Sequence, residues 1–184
     1  MKIIKTELDG VLIIEPDVFP DSRGFFFESY SEKKYSENGF DYKFVQDNIS
    51  KSVKGTIRGL HYQVSEFAQG KLCQVILGKV YDVAVDVRFG SPTFGKYFGV
   101  ELSGENHLQY WLPPGFAHGF SVLSDEAIFM YKCTNYYSKK DERAILFNDE
   151  EIGIDWKVET PIISPKDLLA KKFKEIEKDF LYNK

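Results

Sequence analysis

Short apolar runs alternate with turn residues along most of the chain. Val11-Leu12-Ile13-Ile14 reads as a first strand. Phe19-Pro20-Asp21-Ser22-Arg23-Gly24 reads as a turn, and Phe25-Phe26-Phe27-Glu28-Ser29-Tyr30 as strand-like. Ser31 is placed to cap a short helix that stops before Gly39, since Ser favours the cap and Gly the exit. Further strands are expected at 43–49, 56–63, 71–77, 79–88, 97–103, 108–112, 118–123, 126–133 and 142–147. Turn residues such as Lys54-Gly55, Gly78, Gly90-Ser91-Pro92 and Ser124-Asp125 separate them. Many short strands punctuated in this way predict a mainly all-β fold, a sandwich or barrel.

Alternation is clearest in Val80-Tyr81-Asp82-Val83-Ala84-Val85-Asp86-Val87-Arg88. Positions 81, 83, 85 and 87 form one apolar face, while Asp82, Asp86 and Arg88 share the other, because side chains alternate with period 2. That polar face is either solvated with a local ion pair or the lining of a pocket. The last segment reads as a helix from about residue 165. Ser164 suits the N-cap, Pro165 the first helical position and Asp167 the acid of a capping box. Leu169, Phe173, Ile176 and Phe180 then form one apolar stripe at helical spacing.

The 184 residues suit one domain, 1–184, large enough for a hydrophobic core. Aromatics are abundant, with 16 Phe and 11 Tyr against 2 Met, which strengthens the all-β reading. The net charge of −4 has no long run of one sign, which argues against a nucleic-acid partner or an anionic membrane surface. A few Arg and Lys converging on a pocket still allow an anionic ligand. Cys73 and Cys133 are too few for a disulfide framework and read as buried thiols. No signal-peptide core and no bilayer-length apolar run is present in the sequence, so the expected location is the cytoplasm.

The chain has three histidines. His61 lies in a strand-like run, and Lys71 follows a short loop. A hairpin of 56–63 with 71–77 would set the two opposite each other, at a Cβ separation of about 5 Å. A base beside a cation suits proton removal next to a carbonyl: the base takes the proton and the cation stabilises the enolate oxygen. The alternative is an interior hydrogen-bonded His and a surface Lys. Pro113-Pro114-Gly115-Phe116-Ala117-His118 resembles the second motif of the cupin superfamily. The first cupin motif would supply an H-x-H pair, but here His61-Tyr62-Gln63 stands in its place, which argues against a metal site. Tyr131 could donate a proton from the face opposite His61, and Tyr137 could stack on a planar ligand, although spacing alone favours tyrosines packed in a β-core.

A longer ordered set of motifs is more specific. Arg23-Gly24-Phe25-Phe26-Phe27-Glu28, Gln46-Asp47-Asn48, Arg58-Gly59-Leu60-His61-Tyr62-Gln63, Gln69-Gly70-Lys71, Asp82-Val83-Ala84-Val85-Asp86, Ser91-Pro92-Thr93-Phe94-Gly95, Gly115-Phe116-Ala117-His118-Gly119-Phe120 and Asn135-Tyr136-Tyr137 follow in sequence. Together they resemble the dTDP-4-dehydrorhamnose 3,5-epimerase family of the dTDP-L-rhamnose pathway. The likeness runs from about residue 3 to residue 170.

The resemblance implies a cupin-type antiparallel β-sandwich or jelly roll, a homodimer, and no metal or organic cofactor. It implies inversion of carbons 3 and 5 of dTDP-4-dehydro-6-deoxy-D-glucose, each next to the ketone at carbon 4. His61 would be the base, Tyr131 the acid, and Lys71 the holder of the enolate oxygen. Asp167 would hydrogen-bond His61, in competition or alternation with its helix-capping role. Arg23, Glu28, Gln46, Asn48, Arg58, His118, Glu142 and Lys166 would contact the nucleotide sugar, with Tyr137 stacked on thymine. Residues near Arg23 and Glu28 would reach the partner subunit's site. Departures from the family pattern are Ile57 for Leu, Cys73 for Val, Phe147 for Trp in Phe147-Asn148-Asp149, and Lys157 for Pro after Trp156. Two rivals are an epimerase acting at one carbon or on another nucleotide-linked keto-sugar, and a metal-binding cupin that is an oxygenase or a sugar-binding module.

Overall fold

The computed structural model describes residues 1–182. In chain order the strands are β1 (Lys2–Lys5), β2 (Leu12–Glu15), β3 (Phe19–Asp21), β4 (Gly24–Phe26), β5 (Gln46–Val53), β6 (Ile57–Gln63), β7 (Lys71–Leu77) and β8 (Lys79–Asp86). They continue as β9 (Arg88–Phe89), β10 (Tyr97–Ser103), β11 (Gln109–Leu112), β12 (Phe116–Val122), β13 (Glu126–Cys133), β14 (Glu142–Ala144) and β15 (Phe180–Leu181). Two short helices, α1 (Glu32–Glu37) and α2 (Pro165–Leu168), complete the regular elements together with two 3₁₀ turns. The expected antiparallel, mainly β architecture is present. A six-stranded sheet in the order β1-β2-β11-β7-β13-β5 faces a five-stranded sheet in the order β10-β8-β12-β6-β14. No helix among the described residues is long and apolar enough to cross a membrane.

Burial on three layers explains the abundance of aromatics. Between the sheets, Cys73, Val75, Tyr110, Leu112 and Phe129 from one meet Val80, Ala84, Leu102, Phe116, Phe120 and Val122 from the other. The outer face of the six-stranded sheet packs Ile14, Leu72 and Trp111 against Tyr35 of α1 and Phe40. The outer face of the five-stranded sheet packs Ile57, Leu60, Val83 and Val85 against Ile145, Ile152, Trp156 and Phe173. The β8 alternation therefore separates two cores rather than core from solvent. Its polar face is not solvated, because Asp82 and Asp86 have no exposed surface. Asp86 binds Arg88 at 2.8 Å, whereas Asp82 turns to His118.

The C-terminal segment departs from the expected helix. Ser164 accepts the Asp167 N–H and Pro165 opens the turn, but α2 ends at Leu168. A 3₁₀ turn follows at Phe173–Glu175, and β15 then pairs in parallel with β9. Phe173 is buried against Phe94, while Leu169 is 86% exposed, so the apolar stripe does not share one face. The segment instead lies along the outer face of the five-stranded sheet, and burial at separate points outweighs the local helical period. Elsewhere, the expected turn at 19–24 is a small hairpin of β3 and β4. The strand expected at 43–49 is displaced to 46–53, paired along its full length with β13.

Candidate active site

A cleft of about 550 Å³ takes its walls from both sheets and its rim from residues 162–167. A smaller cavity of about 120 Å³ adjoins it, sharing Asn48, His61, Lys71 and Tyr131. His61 and His118, directly paired, turn inward from the five-stranded sheet, and the register slip just before His61 lets Arg58, three residues earlier, face the same cleft. The strand period turns Asn48, Lys71 and Tyr131 inward from the six-stranded sheet.

His61 stands beside His118 in the β6–β12 register and beside Ala144 in the β6–β14 register. Gly59, two residues earlier, has φ +125°, and a Cβ there would lie 2.5 Å from the Gly119 Cα. Glycine thus permits the close strand approach where the β6–β12 register slips between His118 and Phe120. The Nε2 of His61 lies 2.6 Å from the Asp167 carboxylate. Burial raises the Asp167 carboxyl, but the His61 hydrogen bond and charge, with Ser164 and the Gly59 N–H, outweigh it and hold the group below the ordinary carboxylate value. Of the expected capping box only one half forms: Ser164 Oγ accepts the Asp167 backbone N–H, whereas the Asp167 carboxylate turns to His61 instead of back to the Ser164 N–H.

The expected hairpin of 56–63 with 71–77 does not form. Strands β6 and β7 lie in different sheets, and a 3₁₀ turn at Ser65–Phe67 carries the chain between them. Lys71 pairs with Leu112 and Cys133, not with His61. The two residues still meet across the sandwich, where Lys71 Nζ is 3.5 Å from the His61 carbonyl oxygen. The same Nζ is 5.8 Å from the centre of the Tyr131 ring. Tyr131 sits on β13 between Cys73 and Asn48, and burial raises its phenol to about 12. A neutral phenol, an ammonium and a carboxylate-held imidazole therefore converge from two walls. That set can remove a proton on one side of a carbon, stabilise an adjacent oxyanion and return a proton on the other side.

His118 forms a second histidine–carboxylate pair, with Nε2 2.6 Å from Asp82 Oδ1. Burial lowers the His118 pKa despite that partner, which favours a neutral ring. Toward the smaller cavity, Gln46 donates to Asn48 at 3.0 Å and accepts the Tyr137 N–H at 3.1 Å. Glu142 accepts from the Tyr137 hydroxyl at 3.0 Å and from Lys166 at 2.6 Å. Tyr137 keeps an exposed ring, which suits stacking. Arg58 is exposed at the cleft with its Nε on Ser52 Oγ at 3.0 Å.

Eleven of the thirteen residues singled out from sequence line these two cavities. Arg23 and Glu28 do not: Arg23 is paired with Asp21 in the β3–β4 hairpin, and Glu28 is paired with Lys34. Sequence reasoning left open what Asp82 does and gave no role to Ser52 or to the Ile162-Ile163 wall. Asp82 carried a signal in the polar face of β8, whereas Ser52 and the isoleucines carried none.

A sequence model described as dTDP-4-dehydrorhamnose 3,5-epimerase matches residues 5–175. The chain is 58% identical over 174 residues to the dTDP-4-dehydrorhamnose 3,5-epimerase of Shigella flexneri, covering 94% of this chain and 96% of that one. Its fold superposes with a TM-score of 0.95 on the dTDP-6-deoxy-D-glucose-3,5-epimerase of Legionella pneumophila, solved in complex with dTDP-4-keto-L-rhamnose. That protein is 51% identical, with 100% of this chain and 99% of that one covered. The dTDP-4-dehydrorhamnose 3,5-epimerase of Elizabethkingia anophelis gives a TM-score of 0.90 at 52% identity, over 98% and 99% of the two chains.

Proposed function

The chain belongs to the dTDP-4-dehydrorhamnose 3,5-epimerase family, and from that premise we propose how its own side chains perform the reaction. It is an isomerase of dTDP-L-rhamnose biosynthesis that converts dTDP-4-dehydro-6-deoxy-D-glucose to dTDP-4-dehydro-L-rhamnose.

His61 removes the proton at carbon 3 or carbon 5, and the electrons pass into the ketone at carbon 4. Lys71 holds the oxygen as it becomes an enolate. Tyr131, whose phenol is kept protonated by burial, returns a proton from the opposite face. Asp167 orients the imidazole and balances the charge it gains. The ketone itself acidifies both positions, so the chemistry asks for no metal and no organic cofactor. The observation that carries this reading is the placement of His61 and Tyr131 on facing sheets of one cleft.

Arg58, His118, Gln46, Asn48, Glu142 and Lys166 contact the nucleotide sugar in this reading, and Tyr137 stacks on thymine. Residues 1–184 act as one domain in the cytoplasm, and two copies pair. Support for pairing comes from the β3–β4 hairpin, where Phe19, Phe25 and Phe26 are all more than half exposed. Arg23 and Glu28 in this region stand outside their own cleft, in keeping with service to a partner's site. The test is His61→Ala: turnover is abolished while dTDP binding stays near normal, because the base meets sugar carbon and not nucleotide. Retained turnover would remove His61 from the role.

A further inference from the structure

Beneath the cleft floor lies a buried cluster that the epimerisation chemistry does not fully use. Cys73 Sγ, an Asp82 carboxylate oxygen and a His118 ring nitrogen all lie within 4.8 Å of one another. Cys73 comes from β7 in one sheet, and Asp82 and His118 from β8 and β12 in the other, so the sandwich itself sets their spacing. Asp82 is fully buried, and its Oδ2 has no hydrogen-bond partner among the described residues. A carboxylate oxygen left unbonded in a core is costly unless something positive can approach it.

We propose that Cys73, Asp82 and His118 form a regulatory site for a thiophilic divalent cation such as Zn²⁺, whose occupancy opposes turnover. A thiolate, an imidazole and a carboxylate are the donor types that zinc takes at about 2.0–2.3 Å. Tetrahedral bonds of those lengths set neighbouring donors about 3.3–3.6 Å apart. The sulfur-to-imidazole distance is 3.7 Å, already close to that spacing. The imidazole-to-carboxylate distance of 2.6 Å has to open by about 0.7 Å, the change expected when a metal replaces a shared proton. Binding releases the Cys73 thiol proton and the proton held between His118 and Asp82. His118 is the one of the three that lines the cleft, and so marks the route of entry.

Inhibition rests on the epimerase reading, since the ion takes the His118 ring away from sugar binding. The donor set differs from the cupin H-x-H arrangement, whose second ligand is lacking here. Cysteine at position 73 is indispensable to it, and valine fills the same apolar space without a ligand.

The test compares the wild-type protein with Cys73→Val, both stripped of metal, by equilibrium dialysis against buffered Zn²⁺ and by Co²⁺ absorption. Wild type is expected to bind one tight equivalent and to show a thiolate-to-cobalt charge-transfer band. The variant should lose that band and bind zinc at least about 100-fold more weakly, since even outer-shell changes cost 10–100-fold. Metal-free Cys73→Val should turn over like wild type and resist zinc inhibition. Equal zinc affinity in both proteins, or cobalt bound without a thiolate band, overturns the proposal. Because binding is read without substrate, that failure is distinct from failure of the epimerase assignment.

Discussion

His61 and Tyr131 face each other from different sheets, the first on β6 beside His118 and the second on β13 between Cys73 and Asn48. Inversion at carbon needs a proton taken from one side and supplied from the other. A sandwich provides two such walls without either residue crossing the cleft.

Tyr131→Phe separates the two half-steps. On the proposed mechanism His61 still removes the proton, but the enolate then recovers one only from the same side. Turnover in deuterated water should place deuterium in recovered substrate with its configuration retained, while inversion falls by about 10²–10⁴-fold. Inversion at the wild-type rate would show that Tyr131 is not the donor.

Much of this site was legible in order along the chain and not in pairwise spacing. Hairpin spacing predicts His61 and Lys71 side by side, and they do meet, but across the sandwich and not in a hairpin. A short loop between two strand-like runs suggests a hairpin whenever nothing else is known, but here the 3₁₀ turn at Ser65–Phe67 hands the chain to the facing sheet. Proximity survived because the sandwich is thin enough for a lysine to span. The end of the chain misled for a related reason. Leu169, Phe173, Ile176 and Phe180 recur at helical spacing, but the last three pack at separate places on an existing sheet and Leu169 stays exposed. Strand existence followed from local pattern, whereas sheet membership depends on contacts distant in sequence.

Asp167→Asn keeps the cap, since Ser164 Oγ accepts the backbone N–H of residue 167 whatever its side chain. The variant should fold with kcat reduced by about 10²-fold or more and KM little changed, because the amide cannot balance an imidazolium. Its pH dependence follows with a definite sign. The folded-state pKa of Asp167 is depressed, so its contribution to stability is present above the unfolded value of about 3.9 and is lost as pH falls through the folded value. Acid denaturation of the variant should lack that part of the slope. A variant with wild-type kcat, or with an identical acid limb, would contradict the pairing with His61.

Tyr137→Ala tests the nucleotide end. The exposed ring is held at its hydroxyl by Glu142, which Lys166 also binds. Loss of the stacking face should weaken dTDP binding by about 1–3 kcal/mol, read by calorimetry. An unchanged dissociation constant would leave Tyr137 with a structural role in the Glu142–Lys166 link alone.

The central claim is that one base and one acid, on opposite walls, serve two carbons flanking the same ketone. The most direct measurement is incubation of the wild-type protein with dTDP-4-dehydro-6-deoxy-D-glucose in deuterated water, followed by NMR of carbons 3 and 5. The account predicts deuterium at both carbons, each with inverted configuration in the product. Deuterium confined to one carbon, or inversion without solvent exchange at either, would contradict it.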